Sequence, residues 1–187
     1  MSDQEKPERL FIGVPITAGA RAAIVRLLPK NIPGKPVPSD NWHFTLRFLG
    51  ATRTETRDKL LSDLAAESLG PSFTIHFNEL GAFPNPRRAR VLWLGVDRGT
   101  ERMQELAAIV ETSARRAGFE AEARAFTPHL TLARIDPPTS VATLISSRPR
   151  VDVSMLVESL VLFRSRLGGG PARYEVVARF ELAAGIA

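Results

Sequence analysis

Trp42-His43-Phe44-Thr45-Leu46-Arg47-Phe48-Leu49 and Pro128-His129-Leu130-Thr131-Leu132-Ala133-Arg134 are two versions of one phrase. Each sets His-apolar-Thr-Leu in a run of alternating residue types, the period of a β-strand. Side chains alternate faces along a strand, so His43 and Thr45 share one face while Phe44, Leu46 and Phe48 share the other. By the same count His129 and Thr131 face together, opposite Leu130 and Leu132. The chain therefore owns two equivalent imidazole–hydroxyl pairs, one in each half, and spends two of its three histidines on them.

Outward from the first phrase, Leu10 to Ile16 is an apolar run that reads as a strand, and Thr17 to Leu28 has helical spacing through Ile24, Leu27 and Leu28. Pro29 and the Pro/Gly-rich stretch from Ile32 to Asp40 predict a loop. The strand Phe44 to Leu49 is expected to stop at Gly50. Thr54 is expected to cap a second helix reaching Ser68. Alternation predicts a strand over Phe73 to Leu80, a turn over Pro84 to Arg90, and a more deeply buried strand over Val91 to Val96. The longest helix should run from Thr100 to Ala117 and end near Gly118. After the second phrase, a strand to about Ile135, a short helix covers Ser140 to Ser146. Two last strands, Ser154 to Phe163 and Tyr174 to Leu182, flank a Gly168-Gly169-Gly170 connection. Strands and helices mix without a strict βαβ rhythm, which argues for an α+β fold with largely antiparallel sheet.

A chain of 187 residues with 44% hydrophobic and 24% charged content can bury a sizeable core as one domain, residues 1–187, with 1–9 as a flexible tail. Without cysteine it can form neither a disulfide framework nor a thiolate metal site. No apolar run approaches the roughly 20 residues that span a bilayer, and Met1 to Arg9 lacks a signal core. The expected setting is cytoplasmic, with no membrane partner. The net charge of +5 and a pI near 10.4 favour an anionic partner such as RNA.

The duplicated phrase resembles the paired His-x-Thr-x motifs of the two-histidine (2H) phosphoesterase superfamily. Within it the chain is most similar to the RNA 2′,3′-cyclic phosphodiesterases, also called 2′-5′ RNA ligases. Leu10-Phe11-Ile12-Gly13-Val14 contributes to the likeness, as does Gly81-Ala82-Phe83-Pro84-Asn85-Pro86-Arg87-Arg88 running into Val91 to Val96. Phe126-Thr127-Pro128 precedes the second phrase, and Phe163-Arg164-Ser165-Arg166-Leu167 with Gly170 and Tyr174 closes the pattern. The resemblance implies two pseudo-symmetric lobes with helices outside and a central cleft, each lobe giving one His-x-Thr strand. It also implies a substrate, RNA ends bearing 2′,3′-cyclic phosphate, with tRNA fragments as one source, and a 2′-phosphate product. The protein is expected to work as a monomer.

Opening such a ring needs one group to take a proton from water and another to give one to the departing ribose oxygen. Histidine suits both roles, with an unperturbed pKa near 6.5. His129 is expected to act as base and His43 as acid, although two phrases this alike leave the reverse assignment open. Thr45 and Thr131 could donate to the non-bridging phosphate oxygens. No metal or other cofactor is expected, since the sequence offers no evident carboxylate cluster.

Arg134 is implied by the resemblance as a phosphate contact. Five residues from His129 is the opposite face of a regular strand, so that contact requires a bulge, a twist or a wrapping cleft. Arg47 shares the His43 face by simple alternation and is a second candidate. Arg87, Arg88 and Arg90 could meet an RNA backbone, and Phe11, Phe48 and Phe83 could stack a base. His76 has no Thr at the required spacing and reads as structural. Two other functions stay open: an RNA-end binding protein without turnover, and a phosphodiesterase for small cyclic nucleotides or ADP-ribose cyclic phosphate.

Overall fold

The computed structural model describes residues 6–147, 151–168 and 172–185. Nine strands form one sheet: β1 (Glu8–Pro15), β2 (Lys35–Pro36), β3 (His43–Thr52), β4 (Phe73–Phe83), β5 (Ala89–Arg98), β6 (His129–Thr139), β7 (Val153–Val157), β8 (Ser159–Arg166) and β9 (Arg173–Glu181). Helices are α1 (Ala18–Leu27), α2 (Thr54–Ala66), α3 (Thr100–Arg116) and the short α4 (Ala142–Ser146). The strand order is β7-β4-β5-β6-β3-β1-β8-β9, with β2 added on β6, and every strand pairing in it is antiparallel. The architecture is α+β, as the alternation and the resemblance led one to expect.

The order is nearly palindromic about β6-β3. On one side β3 pairs with β1 and β1 with β8; on the other β6 pairs with β5 and β5 with β4. Helix α1 joins β1 towards β3, and α3 joins β5 to β6. These are the two lobes. They meet through a single register pair, Phe44↔Leu130, because each motif strand overlaps the other only near its own first residues. The remaining edge of β6 is completed by the Pro/Gly loop: Lys35 and Pro36 pair with Arg134 and Ala133, and Val37 N–H donates to the Leu132 carbonyl at 2.8 Å. That approach needs Gly34, where a Cβ would fall 2.5 Å from the Arg134 carbonyl oxygen.

One core serves both lobes. Phe44 and Leu130 point away from the cleft and are fully buried, as are Ile12, Ile75, Phe77, Met103, Leu106 and Val110. Phe44 stacks on Phe77 of the other lobe at 5.6 Å. Burial of such a ring stabilises by roughly 1.5–3 kcal/mol, so the cleft rests on an apolar floor that holds the lobes together. A smaller cluster around Leu92, Ala133 and Ile135 lies against the α4 segment.

Several expectations need correction. Strand β1 begins at Glu8, so residues 8 and 9 belong to the sheet and not to a tail. Strand β3 passes through Gly50 and ends at Thr52. The cap position of α2 falls on Arg53, and Thr54 is its first helical residue. The stretch Ser154 to Phe163 is two strands: β7 pairs with β4 and β8 with β1, with Glu158 between them. Gly169 and Gly170 lie outside the described residues. Among the described residues no helix is long and apolar enough to cross a membrane.

Candidate active site

His43 and His129 are the first residues of β3 and β6. Antiparallel extension of the Phe44↔Leu130 pair sets His43 across from Thr131 and Thr45 across from His129, all four on the face away from the core. The sequence's two separate pairs thus become one four-cornered constellation.

Both imidazoles are held in the same way. Nδ1 of His43 donates to the Asn41 carbonyl at 2.7 Å, and Nδ1 of His129 donates to the Thr127 carbonyl at 2.7 Å. In each case the acceptor lies two residues back, and the neutral ring is left with Nε2 as an acceptor. The Thr45 hydroxyl occupies that position on His43, 3.0 Å from Nε2. Aromatic rings fix the planes. Phe11 lies 4.6 Å from the His43 ring and Tyr174 meets it edge-on at 5.2 Å. Phe83 meets His129 edge-on at 5.0 Å, with Trp93 at 6.4 Å. Trp93 lies flat over Gly81, where a Cβ would sit 2.1 Å from the indole.

Burial is the main cause that lowers the His43 pKa to about 4, opposed by the Asn41 carbonyl and assisted by the positive charges of Arg134 and His129. His129 is lowered for the same leading reason, with the Thr127 carbonyl opposing and Arg134 assisting. His43 is therefore neutral at pH 7 in the empty cleft, and burial favours the neutral form of His129 as well.

The bulge that Arg134 required is present. Between β5 and β6, Trp93 pairs with Thr131 and Leu92 with Ala133, so Leu132 is an extra residue. The inserted residue reverses the alternation, and Arg134, paired with Val91, returns to the face of His129 and Thr131. Its charge acts on both imidazoles.

A matching bulge moves Arg47 the other way. Gly13 pairs with Thr45 and Ile12 with Arg47, which makes Leu46 the extra residue of β3. Arg47 therefore leaves the cleft face. Its Nε lies 2.9 Å from Glu111 of α3, Nη1 3.1 Å from Glu122, and Nη2 donates to the Glu120 carbonyl. It pins the segment that leads into Thr127 and His129 and is not a phosphate contact.

The same bulge returns Phe48 to the cleft face, paired with Phe11. Phe48 is 61% exposed and is the positional counterpart of Arg134, five residues after its histidine. Of the three candidate stacking rings, Phe11 is 3% exposed and Phe83 is committed to His129, so Phe48, tilted against Phe11 at 6.1 Å, is the one that stays open to the cleft. Arg87 and Arg88 are exposed on a turn capped by Asn85, and Arg90 lies 3.6 Å from Asp136. His76 stands apart from the cleft residues, clamped by Asp97 and Asp152. Asn41 and Thr127 orient the histidines through backbone carbonyls, a role the sequence does not mark, because any residue supplies a carbonyl.

Known proteins resemble this chain in sequence and in fold. The model of the 2′-5′ RNA ligase superfamily matches residues 22–169. An Escherichia coli K12 protein named RNA 2′,3′-cyclic phosphodiesterase is 33% identical, over 95% of this chain and 98% of its own length. A Bacillus subtilis protein of the same name is also 33% identical, over 92% and 95%. Among solved structures, E. coli LigT complexed with 3′-AMP superposes with a TM-score of 0.82 at 30% identity, over 94% of this chain and 98% of that one. TT0787 of Thermus thermophilus superposes with a TM-score of 0.79 at 27% identity, over 94% and 98%.

Proposed function

The chain belongs to the 2′-5′ RNA ligase superfamily of 2H phosphoesterases, and from that premise we propose that it is an RNA 2′,3′-cyclic phosphodiesterase working through His43 and His129. The observation that carries the reading is the matched anchoring of the two imidazoles at the seam. Each Nδ1 is spent on a backbone carbonyl, which makes Nε2 the proton-transfer atom of each ring; that of His43 is in contact with the Thr45 hydroxyl.

Water attacks phosphorus while the bond from phosphorus to the 3′ oxygen breaks. His129 Nε2 takes the proton from water, His43 Nε2 gives one to the 3′ oxygen, and a 2′-phosphate remains. The asymmetry of the cleft favours this division of labour. A base stacked on Phe48 brings the ribose to the lobe of His43, where the leaving oxygen needs its proton. Water then arrives from the side of His129 and Arg134. Thr45 and Thr131 donate to the non-bridging oxygens, and the Arg134 fork neutralises charge on the phosphoryl group. Since His43 is neutral when the cleft is empty, its protonation accompanies binding of the anionic phosphate, which favours the imidazolium. With a 5′-hydroxyl in place of water as the nucleophile, the same ring opening forms a 2′-5′ linkage through the same pair, the 3′ oxygen again leaving with a proton from His43. Both motifs come from one chain, which supports a monomeric working unit, and the lack of cysteine accords with a cytoplasmic setting.

The test is an oligonucleotide ending in 2′,3′-cyclic phosphate, incubated with exhaustive chelation. A 2′-phosphate product that persists with chelator is expected. His43→Ala should be rescued by a substrate with a good leaving group and His129→Ala should not; rescue of the latter alone would reverse the roles. Activity lost to chelator and restored by a divalent ion would overturn the metal-free mechanism.

A further inference from the structure

Strand β1 parts from one neighbour before it parts from the other. Its pairing with β8 stops at Gly13↔Val161, whereas its pairing with β3 continues to Pro15↔His43. Where β1 and β8 diverge, a cavity of about 210 Å³ opens between Val14–Thr17 and Leu156–Ser159, with Arg179 on its wall. Of its lining, Pro15, Ser159 and Arg179 belong to the catalytic face of the sheet, while Val14, paired with the buried Phe44, belongs to the core face. Paired residues share a face, and the row Thr45, Gly13, Val161, Arg179 crosses β3, β1, β8 and β9. Pro15 and Ser159, two residues further along their strands, stay on that face.

Ser159 is 5% exposed, and its Oγ accepts from Arg179 Nη1 at 2.7 Å. A buried hydroxyl therefore holds the guanidinium against the cavity. The exposed Glu158 also lines the cavity, yet the hydrogen bond that Arg179 makes is to the neutral Ser159 hydroxyl. Helix α1 starts from its cap Thr17 at the cavity's edge.

We propose that this cavity is a second anion subsite, which takes the 5′-phosphate of the nucleotide whose 2′,3′-cyclic phosphate lies between the two histidines. The inference rests on the function proposed above and narrows its substrate to nucleotides that carry phosphate on the 5′ oxygen, as the last residue of any RNA chain does. Pro15, at the cavity's rim, pairs with His43, one strand spacing or roughly 5 Å away, within the span of a single nucleotide. The planar guanidinium matches two phosphate oxygens at once.

The experiment compares a nucleoside 2′,3′-cyclic phosphate with its 5′-phosphorylated form, at constant ionic strength, in the wild type and in Arg179→Gln and Arg179→Lys. In the wild type the 5′-phosphate should lower KM about tenfold, the size of one charged hydrogen bond. Arg179→Gln should bring the two KM values together, and Arg179→Lys should keep part of the difference. Equal KM values in the wild type, or a preference that survives Arg179→Gln, would overturn the subsite while leaving the enzyme reading intact. If neither substrate is hydrolysed, the catalytic reading fails instead, and equilibrium binding of the same two nucleotides to the same three proteins decides the subsite by the same ratios.

Discussion

An imidazole with a pKa near 4 carries few protons at neutrality, and His43 is such a group. Burial lowers the pKa of His129 as well. The pH dependence of kcat/KM reports the free enzyme, in which the acid must be protonated and the base neutral. The protonated acid becomes scarce above its depressed pKa, and the neutral base becomes scarce below its own. The kcat/KM profile should therefore be a bell with both limbs below about 6.5, the unperturbed value. The kcat profile should lie at higher pH, because bound phosphate favours the imidazolium. Measuring both profiles on one substrate checks this; a kcat/KM maximum above neutrality would contradict it. At this scale the histidines and threonines were legible, because a duplicated phrase is a sequence property. Arg134 and Arg47 were not fully so. Which face each takes depends on one extra residue, Leu132 or Leu46, and a bulge leaves no mark on the apolar pattern around it.

The elements were legible where their period was strong, and failed where two elements share a period. Val153, Met155, Val157 and Ser159 are all buried with exposed residues between them, so alternation runs unbroken through Glu158 although β7 and β8 pair at different places in the sheet. The edge strand β7 is fastened by a contact whose partners the sequence does not reveal. His76, 8% exposed, sits 2.6 Å from Asp97 through Nδ1 and 2.7 Å from Asp152 through Nε2. Hydrogen bonds to Asp152 and then Asp97 raise the His76 pKa, and the bond from His76 lowers that of Asp97. The histidine's contribution is complete below its unfolded value near 6.5 and is lost as pH rises through the raised folded value. That of Asp97 is present above its unfolded value near 4 and is lost as pH falls through the depressed folded one. His76→Gln should accordingly lower Tm most between about pH 4 and 6.5, by roughly 2–4 °C for an ion pair worth about 1 kcal/mol. The difference should shrink at alkaline pH. A Tm difference that grows with pH in thermal melts would refute the clamp.

For the whole molecule, the α+β class and the two lobes were expected, but the ownership of the strands was not. Pairing partners in a sheet are set by register, which composition and period do not encode. Strands β4 to β7 of the second lobe are one contiguous stretch, joined from earlier in the chain by the two-residue β2, whereas the first lobe is built from both ends of the chain, with β1 and β3 early and β8 and β9 last. The partner that β1 needs at Gly13 is Val161. During synthesis at about 5–20 residues per second, the apolar edge of β1 therefore waits on the order of ten seconds for β8 to leave the ribosome. In that interval Leu10 to Val14 offer unpaired backbone beside apolar side chains, a template for association with other nascent chains. Hydrogen exchange on chains stalled at increasing lengths should show protection in β4 to β6 before protection in β1; simultaneous protection would contradict this order. The strand that lies behind His43 in the finished protein is thus the one that most needs shelter while the protein is being made.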